Sequence, residues 1–309
     1  VQGFPNRIKQ EVMDMEGVKR LDGWAKFKGF IHLLRPKQWI KNLFLFAALL
    51  FSRNMDKPQY VMTVLYAFLC FCMISSAVYV FNDISDAEKD RQHPRKRMRP
   101  IAAGIIDRRE AQILMIILLP VSVILSIMLD YSFGFIVMTY LLNNVVYTLY
   151  VKNIVILDVM SIALGFILRV SGGAVVIGVT ISPWLLLCTF LLSLFLGFSK
   201  RRNELLMLQA DAHNHRNNLE HYSLDFIDNM LSIVTASTLI SYSLYTFYAS
   251  EGKHSMVTIL FVLYGIFRYQ YIVYNKKMGE SPEEIILTDI PLIVDIMLWI
   301  LVSIIILYI

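Results

Sequence analysis

Nine long apolar runs divide the chain, at roughly 36–53, 60–81, 111–129, 132–150, 155–178, 183–198, 226–248, 255–274 and 290–309. Each is continuously apolar rather than alternating, which predicts helices and not strands. A bilayer is crossed by about 20 mostly apolar residues in a helix. The pattern therefore predicts an all-α integral membrane protein, a bundle of nine transmembrane helices. The polar connections are short except for 82–110, 199–225 and 275–289. Ahead of the first run, Val12, Met15, Val18, Leu21, Trp24, Phe27 and Ile31 recur every three to four residues among charges. That spacing predicts an amphipathic helix, suited to the membrane surface or to ordinary packing. The chain thus divides into an N-terminal amphipathic segment, 1–32, and a transmembrane domain, 33–309.

Composition agrees with the pattern. Of 309 residues, 57% are hydrophobic and 17% charged, with a mean hydropathy of +0.57. A soluble domain of this length needs about a quarter charged residues to cover its surface, which excludes a soluble globular enzyme. Cys70, Cys72 and Cys188 lie within apolar runs and read as small hydrophobes rather than a disulfide framework. No signal peptide is expected ahead of the first run. The net charge of +5 is unevenly placed. With a cytoplasmic N-terminus, 25 of the 29 Lys and Arg fall on the cytoplasmic side, and Arg53, Lys57 and Lys253 fall outside. The positive-inside rule then predicts a multi-pass protein of the cell membrane with its N-terminus and its polar loops in the cytoplasm.

Those loops carry the chemistry. Asn82-Asp83-Ile84-Ser85-Asp86-Ala87-Glu88-Lys89-Asp90 spaces Asp83, Asp86 and Asp90 three and four apart. On a helix they share one face, with Asn82 one turn below Asp86. Converging carboxylates repel one another without a cation, and hard oxygen ligands suit Mg²⁺, which shares its shell with substrate phosphates. Arg95, Lys96, Arg97 and Arg99 follow directly, and guanidinium groups bind phosphate oxygens in pairs. Acid followed by dense base is what a metal–diphosphate site requires.

Further candidates stand at other span ends. Tyr150 and Lys152 precede Asp158, and Arg169 lies three turns beyond it on the same face of the fifth run. Ionisable groups within spans are expensive in lipid and are functional candidates by default. Lys200, Arg201 and Arg202 close the sixth run and offer a second anion site, with Glu204 in reach of Lys200 as a helical ion pair. Lys37 and Lys41 flank Trp39, an interfacial anchor. Ser281-Pro282-Glu283-Glu284 reads as a helix start, with Ser281 as N-cap. Asp295 is a further buried-charge candidate. Asp211, His213, His215, Glu220 and His221 are spaced too irregularly for a metal site and read as a polar loop. Clustering of charge on one side, with no repeat between the two halves, argues against a transporter.

Together these residues resemble the UbiA-type superfamily of intramembrane prenyltransferases. Its first motif, NDxxDxxxD, is matched in full by Asn82, Asp83, Asp86 and Asp90, and the resemblance runs from about Arg35 to the C-terminus. It implies nine membrane helices around a central cavity, with a Mg²⁺–diphosphate site under cytoplasmic loops. The aromatic prenyltransferases usually carry a second Asp cluster, whereas here Asp158 stands without a second carboxylate and Lys152 lies upstream. The stretches RPKQWIKN, NDISDAEKDRQHPRKRMRPIAAG, LYVKNIVILDV, GFSKRRNEL and SPEEIILTDIP resemble the decaprenyl-phosphate phosphoribosyltransferase branch. That branch implies Mg²⁺-dependent transfer of phosphoribose from 5-phosphoribosyl-1-diphosphate (PRPP) to a polyprenyl phosphate, for cell-wall arabinan synthesis. On this resemblance Asp83, Asp86 and Asp90 hold the metal, and Lys152 and Asp158 join them in catalysis. Asn82, Lys41, Arg95, Lys96, Arg97, Arg99, Tyr150, Arg169, Lys200, Arg201 and Arg202 bind substrate. The alternative is transfer of an isoprenyl group from a polyprenyl diphosphate to an aromatic or other small acceptor. Neither activity involves nucleic acid, and association of further copies of the chain is left open.

Overall fold

The computed structural model describes residues 23–92, 96–210, 222–248, 253–275 and 282–308. Among them every regular element is helical. The helices are α1 (Gly23–Leu34), α2 (Phe46–Phe51), α3 (Pro58–Gln92), α4 (Arg108–Leu129), α5 (Tyr131–Leu149) and α6 (Leu157–Val175). They continue with α7 (Pro183–Ala210), α8 (Leu224–Tyr248), α9 (Thr258–Asn275), α10 (Pro282–Thr288) and α11 (Ile290–Tyr308). Eight of the described helices are long and apolar enough to cross a membrane. The chain is a multi-pass membrane protein.

The expected first span, 36–53, takes a different form. It is a 3₁₀ helix, Pro36–Leu45, continued by the six residues of α2. Window hydropathy counts residues and not rise. At about 2.0 Å per 3₁₀ residue and 1.5 Å per α residue these two pieces cover about 29 Å, close to the hydrocarbon thickness of about 30 Å. The expected loop 82–110 also begins late, because α3 runs on through the Asp-rich motif to Gln92. The N-terminal residues 1–22, Arg95, the stretch from Asp211 to His221, and Ser281 lie outside the described residues.

The chain forms two compact units. One comprises residues up to Pro36 together with 76–119. Its core joins Leu33 of α1, Val80, Ile84 and Ala87 of α3, Ile101 and Ile106 of the following loop, and Ala111 of α4. Gly29 lets α1 press on that loop: a Cβ there would stand 2.8 Å from Ile105 Cγ2. Lys26 pairs with Glu110 at 2.6 Å, and the Ser76 hydroxyl donates to the Leu34 carbonyl at 2.8 Å. The Glu110 carboxylate also accepts from the Asp107 backbone N–H at 3.2 Å, which caps α4. Trp24, Phe27 and Ile31 are exposed on the opposite face of α1.

The other unit holds residues 37–75 and 120–309. Here α5, α6, α7 and α8 pack in succession, and α9 packs on α8 and α11. Its main core includes Val159, Phe195, Phe198, Ile227, Leu231, Tyr269 and Ile272. Glycines set the closest approaches. A Cβ at Gly173 of α6 would lie 1.9 Å from the Leu45 carbonyl oxygen, so α6 and the 3₁₀ segment meet backbone to backbone. Gly197 of α7 similarly admits Val159 of α6. Gly173→Ala is therefore expected to cost about 1–3 kcal/mol through forced separation, read as a lowered thermal midpoint in detergent. An unchanged midpoint would show that the two backbones have room to part.

Candidate active site

In the first unit the site is a face of α3. Asp83 and Asp90 are buried, and Asp86 between them is half-buried. The i, i+3, i+7 spacing read from the sequence does place them along one side of a helix. Asp83 accepts from Arg35, and Arg99 Nη1 bridges Asp83 Oδ1 at 3.1 Å and Asp90 Oδ2 at 2.6 Å. Arg35 also lies over the Tyr79 ring, 5.1 Å from its centroid. The loop after α3 turns back to present Arg99, held by the Ala103 N–H bond to the Arg99 carbonyl and by two bonds to the Pro100 carbonyl.

Among the described residues no three acidic, His or Cys side chains are gathered as a metal-binding group. Arg35 and Arg99 neutralise Asp83 and Asp90 directly. The donor set still fits a cation, because a cationic group already bridges two of its carboxylates. Arg97 is exposed and Lys96 half-buried beside it. Sequence reasoning missed Arg35, whose signal was its place at the head of the RPKQW stretch.

In the second unit the consecutive cations Lys200, Arg201 and Arg202 part company. Arg201 is 2% exposed; its Nε donates to Asp158 Oδ2 at 2.7 Å, its Nη1 to Glu204, and its Nη2 to the Tyr147 hydroxyl at 3.3 Å. The Tyr222 hydroxyl donates to the other Asp158 oxygen at 2.9 Å and accepts from the Ile156 N–H at 2.7 Å. Burial pushes the Tyr222 hydroxyl well above its ordinary pKa, which keeps it a donor. Both oxygens of the wholly buried Asp158 are thus engaged, and its geometry is that of an anchor between α6, α7 and the approach to α8. It anchors a strained turn. Ile156 has φ 71°, and the Leu157 N–H bonds the Val155 carbonyl at 2.8 Å, the rarer positive-φ γ-turn. Lys152 and the exposed Tyr150 lie on this same connection.

Arg202 instead pairs with Asp228, at 2.6 Å, and lies 3.9 Å over the Tyr274 ring. Its guanidinium ties α7 to α8 and α9. Arg169 is buried too, but not with Asp158. It donates to Asn42 at 2.7 Å, the Gly165 carbonyl at 2.7 Å and the Tyr140 hydroxyl at 3.0 Å, among the rings of Phe71, Tyr140 and Phe166. Asn42 is held in turn against Cys72 and Ser75. Among the described residues no carboxylate pairs with Arg169.

A third group was not foreseen. Glu283, expected only as first-turn acid of α10, is buried. It accepts from Gln38, and its other oxygen lies 3.3 Å from Lys41 Nζ. Lys41 also donates to Gln38 Oε1 at 2.5 Å. Lys200 lies within electrostatic reach of both Lys41 and Glu283. Burial alone would raise the Glu283 pKa, but Lys41 and then Lys200 outweigh it and hold the carboxyl below its usual value. A depressed carboxylate stabilises the fold above its unfolded pKa of about 4.3 and loses that contribution as pH falls through the folded value. The thermal midpoint should therefore drop below pH ~4, and less steeply in Glu283→Gln. Parallel acid profiles for the two proteins would remove Glu283 from the account.

An all-helical membrane protein with an Asp-rich helix face and buried basic groups defines the class. The chain belongs to the UbiA prenyltransferase family, which matches residues 43–287. It is 31% identical over 287 residues to the decaprenyl-phosphate phosphoribosyltransferase of Mycolicibacterium smegmatis, covering 88% of this chain and 90% of that one. The Corynebacterium glutamicum protein of the same name is 31% identical over 282 residues, 88% of this chain and 84% of that one. Among solved structures, a UbiA homolog from Archaeoglobus fulgidus bound to GPP and Mg²⁺ shares the fold. Its TM-score is 0.68 at 20% identity, over 91% of this chain and 100% of that one.

Proposed function

We propose that this protein transfers 5-phosphoribose from PRPP to decaprenyl phosphate or a similar polyprenyl phosphate, releasing diphosphate. The observation that carries this reading is the near full-length likeness to the mycobacterial and corynebacterial phosphoribosyltransferases. Cell-wall arabinan synthesis is the use of the product that goes with it. The engagement of Asp158 by Arg201 and Tyr222 supports the same reading. It leaves the face of α3 as the acidic site in hand for a metal-bound diphosphate.

An oxygen of the lipid phosphate forms a bond to the anomeric carbon of the ribose, and the bond from that carbon to diphosphate breaks. The sugar passes through an oxocarbenium-like state, as in glycosyl transfer. The acceptor is already anionic at neutral pH, so no strong base is needed. Asp83, Asp86 and Asp90 would hold Mg²⁺, which when bound neutralises the charge that develops on the departing diphosphate. Arg99, Lys96 and Arg97 are the candidates for the 5-phosphate; Arg95 belongs with them by sequence. Lys41, Lys152, Lys200 and Arg169 are those for the lipid phosphate, orienting it by charge. The apolar helices supply surface for the tail, and the exposed Trp24, Phe27 and Ile31 stripe would lie in the bilayer interface. The Lys/Arg bias supports a cytoplasmic N-terminus and active site.

Purified protein with Mg²⁺, PRPP and decaprenyl phosphate is expected to yield diphosphate and a lipid-linked pentose phosphate in equal amounts. Product only from an isoprenyl diphosphate and an aromatic acceptor would overturn the reading. Lys152→Ala should lower turnover at least tenfold, and Lys253→Ala, on the opposite side by charge bias, less than twofold. Equal effects would reduce the basic loops to orientation signals.

A further inference from the structure

Arg35 and Arg99 both neutralise the acidic face of α3, but they are held differently. Arg35 follows α1 with φ 53°, and its N–H bonds the His32 carbonyl at 3.1 Å. Its guanidinium donates to Asp83 while lying 5.1 Å over the Tyr79 ring. Arg99 has a fixed backbone and an unbraced side chain. Its N–H donates to the Lys96 carbonyl at 2.9 Å, and its own carbonyl accepts from Ala103 at 2.8 Å. Among the described residues its guanidinium meets only carboxylates, through Nη1, at 3.1 Å from Asp83 Oδ1 and 2.6 Å from Asp90 Oδ2. Its Nε and Nη2 donate to none of them, and the side chain is 26% exposed.

Arg99 Nη1 therefore sits where a cation shared by the two carboxylates would sit. Asp83, Asp86 and Asp90 against Arg35 and Arg99 leave this face with a single negative charge. A dication entering beside both guanidinium groups meets their repulsion. Mg²⁺ also sheds water reluctantly, and it is usually held by one or two carboxylates together with substrate phosphates. A phosphate supplies what an exchange needs. It brings negative charge to the metal's shell, and it offers the displaced guanidinium a bidentate partner. Only the Arg99 side chain has to turn, because the loop pins its backbone on both sides.

We propose that Arg99 is an exchangeable counter-ion: it holds the seat between Asp83 and Asp90 until metal and phosphate arrive together, yields the seat to the metal and turns to the phosphate. Arg35, stacked on Tyr79, stays with Asp83 throughout. The inference rests on the reading of α3 as the metal–diphosphate site and deepens it: the metal binds with the donor and not ahead of it, and Arg99 couples the two.

The test is binding, so that it stands apart from turnover. Purified chain in detergent is titrated with Mn²⁺, followed by the paramagnetic resonance of the free ion, with and without ribose 5-phosphate. In wild type the sugar phosphate should tighten Mn²⁺ by about tenfold or more, a usual size for coupling between sites, and Mn²⁺ should tighten the sugar phosphate equally. In Arg99→Gln, Mn²⁺ alone should bind about tenfold more tightly than in wild type, ribose 5-phosphate should bind more weakly, and the coupling should fall below about threefold. Arg99→Lys keeps a charge in the seat and should return Mn²⁺ affinity towards wild type, and Arg35→Gln should shift it less than Arg99→Gln does. Asp83→Asn should lose the bound Mn²⁺, which locates it on α3. No coupling in wild type, equal Mn²⁺ affinity in Arg99→Gln, or Mn²⁺ retained in Asp83→Asn would overturn the proposal. The wild-type titration decides even where a variant misfolds. PRPP turnover decides the parent reading separately. Transfer without coupling sinks only the exchange, and coupling without transfer sinks only the reaction.

Discussion

Asp83→Ala is expected to reduce transfer to below about a thousandth of wild type while the protein stays folded. The loss of activity follows from the reaction. In the proposed reaction diphosphate leaves as a highly charged group, and several kcal/mol of charge neutralisation would depend on the carboxylates proposed to hold the cation. Asp83 is the one that both Arg35 and Arg99 reach, so it also orders the basic side of the site. The fold should survive because the two arginines it leaves behind are only part-buried, at 22% and 26% exposed, and can turn to water. The core of Leu33, Val80, Ile84 and Ile106 packs on neighbouring turns without it. Turnover, elution profile and thermal midpoint are measured on one preparation, with Asp83→Asn as the variant of unchanged shape. Normal turnover in either would remove the carboxylate from the reaction.

Arg201→Ala should have the opposite signature, with a loss of stability that carries activity down with it. Breaking a buried ion pair by removing one partner costs about 3–5 kcal/mol, because the charge left behind is uncompensated. Asp158 would keep only the Tyr222 hydroxyl. Arg201→Lys should recover little, since an ammonium cannot reach Asp158, Glu204 and Tyr147 from one planar fork. The strained turn at Ile156 depends on the same cluster through Tyr222, and a positive φ at a β-branched residue costs about 1–3 kcal/mol. Loosening it would displace Lys152 on the same connection. An Arg201→Ala protein with an unchanged midpoint in detergent would show that Asp158 needs no counter-ion.

The two variants mark the boundary of what sequence reading could reach. The Asp-rich motif was legible because its geometry is local: three and four residues on a helix always share a face. Arg201 was legible only as one of three cations. Consecutive helical residues point about 100° apart, so Lys200, Arg201 and Arg202 face three directions, and packing decides which neighbour each meets. Arg169 and Asp158 share a helix face and still do not pair, because Asn42 and Tyr140 meet one and Arg201 and Tyr222 the other. Glu283 escaped notice because a first-turn acid already has an ordinary explanation, and its partners Gln38 and Lys41 stand more than two hundred positions away.

The sequence by itself determined the membrane-spanning all-α class, the family, and the acidic face of α3. Each of these is written in composition or in short-range periodicity, where one residue constrains another through a few bonds. Only the tertiary structure decided which buried charges are anchors, that the first expected span is a 3₁₀ segment pressed on Gly173, and that Glu283 is buried against Gln38 and Lys41. Those outcomes depend on contacts between residues far apart in the chain, set by how helix surfaces fit together.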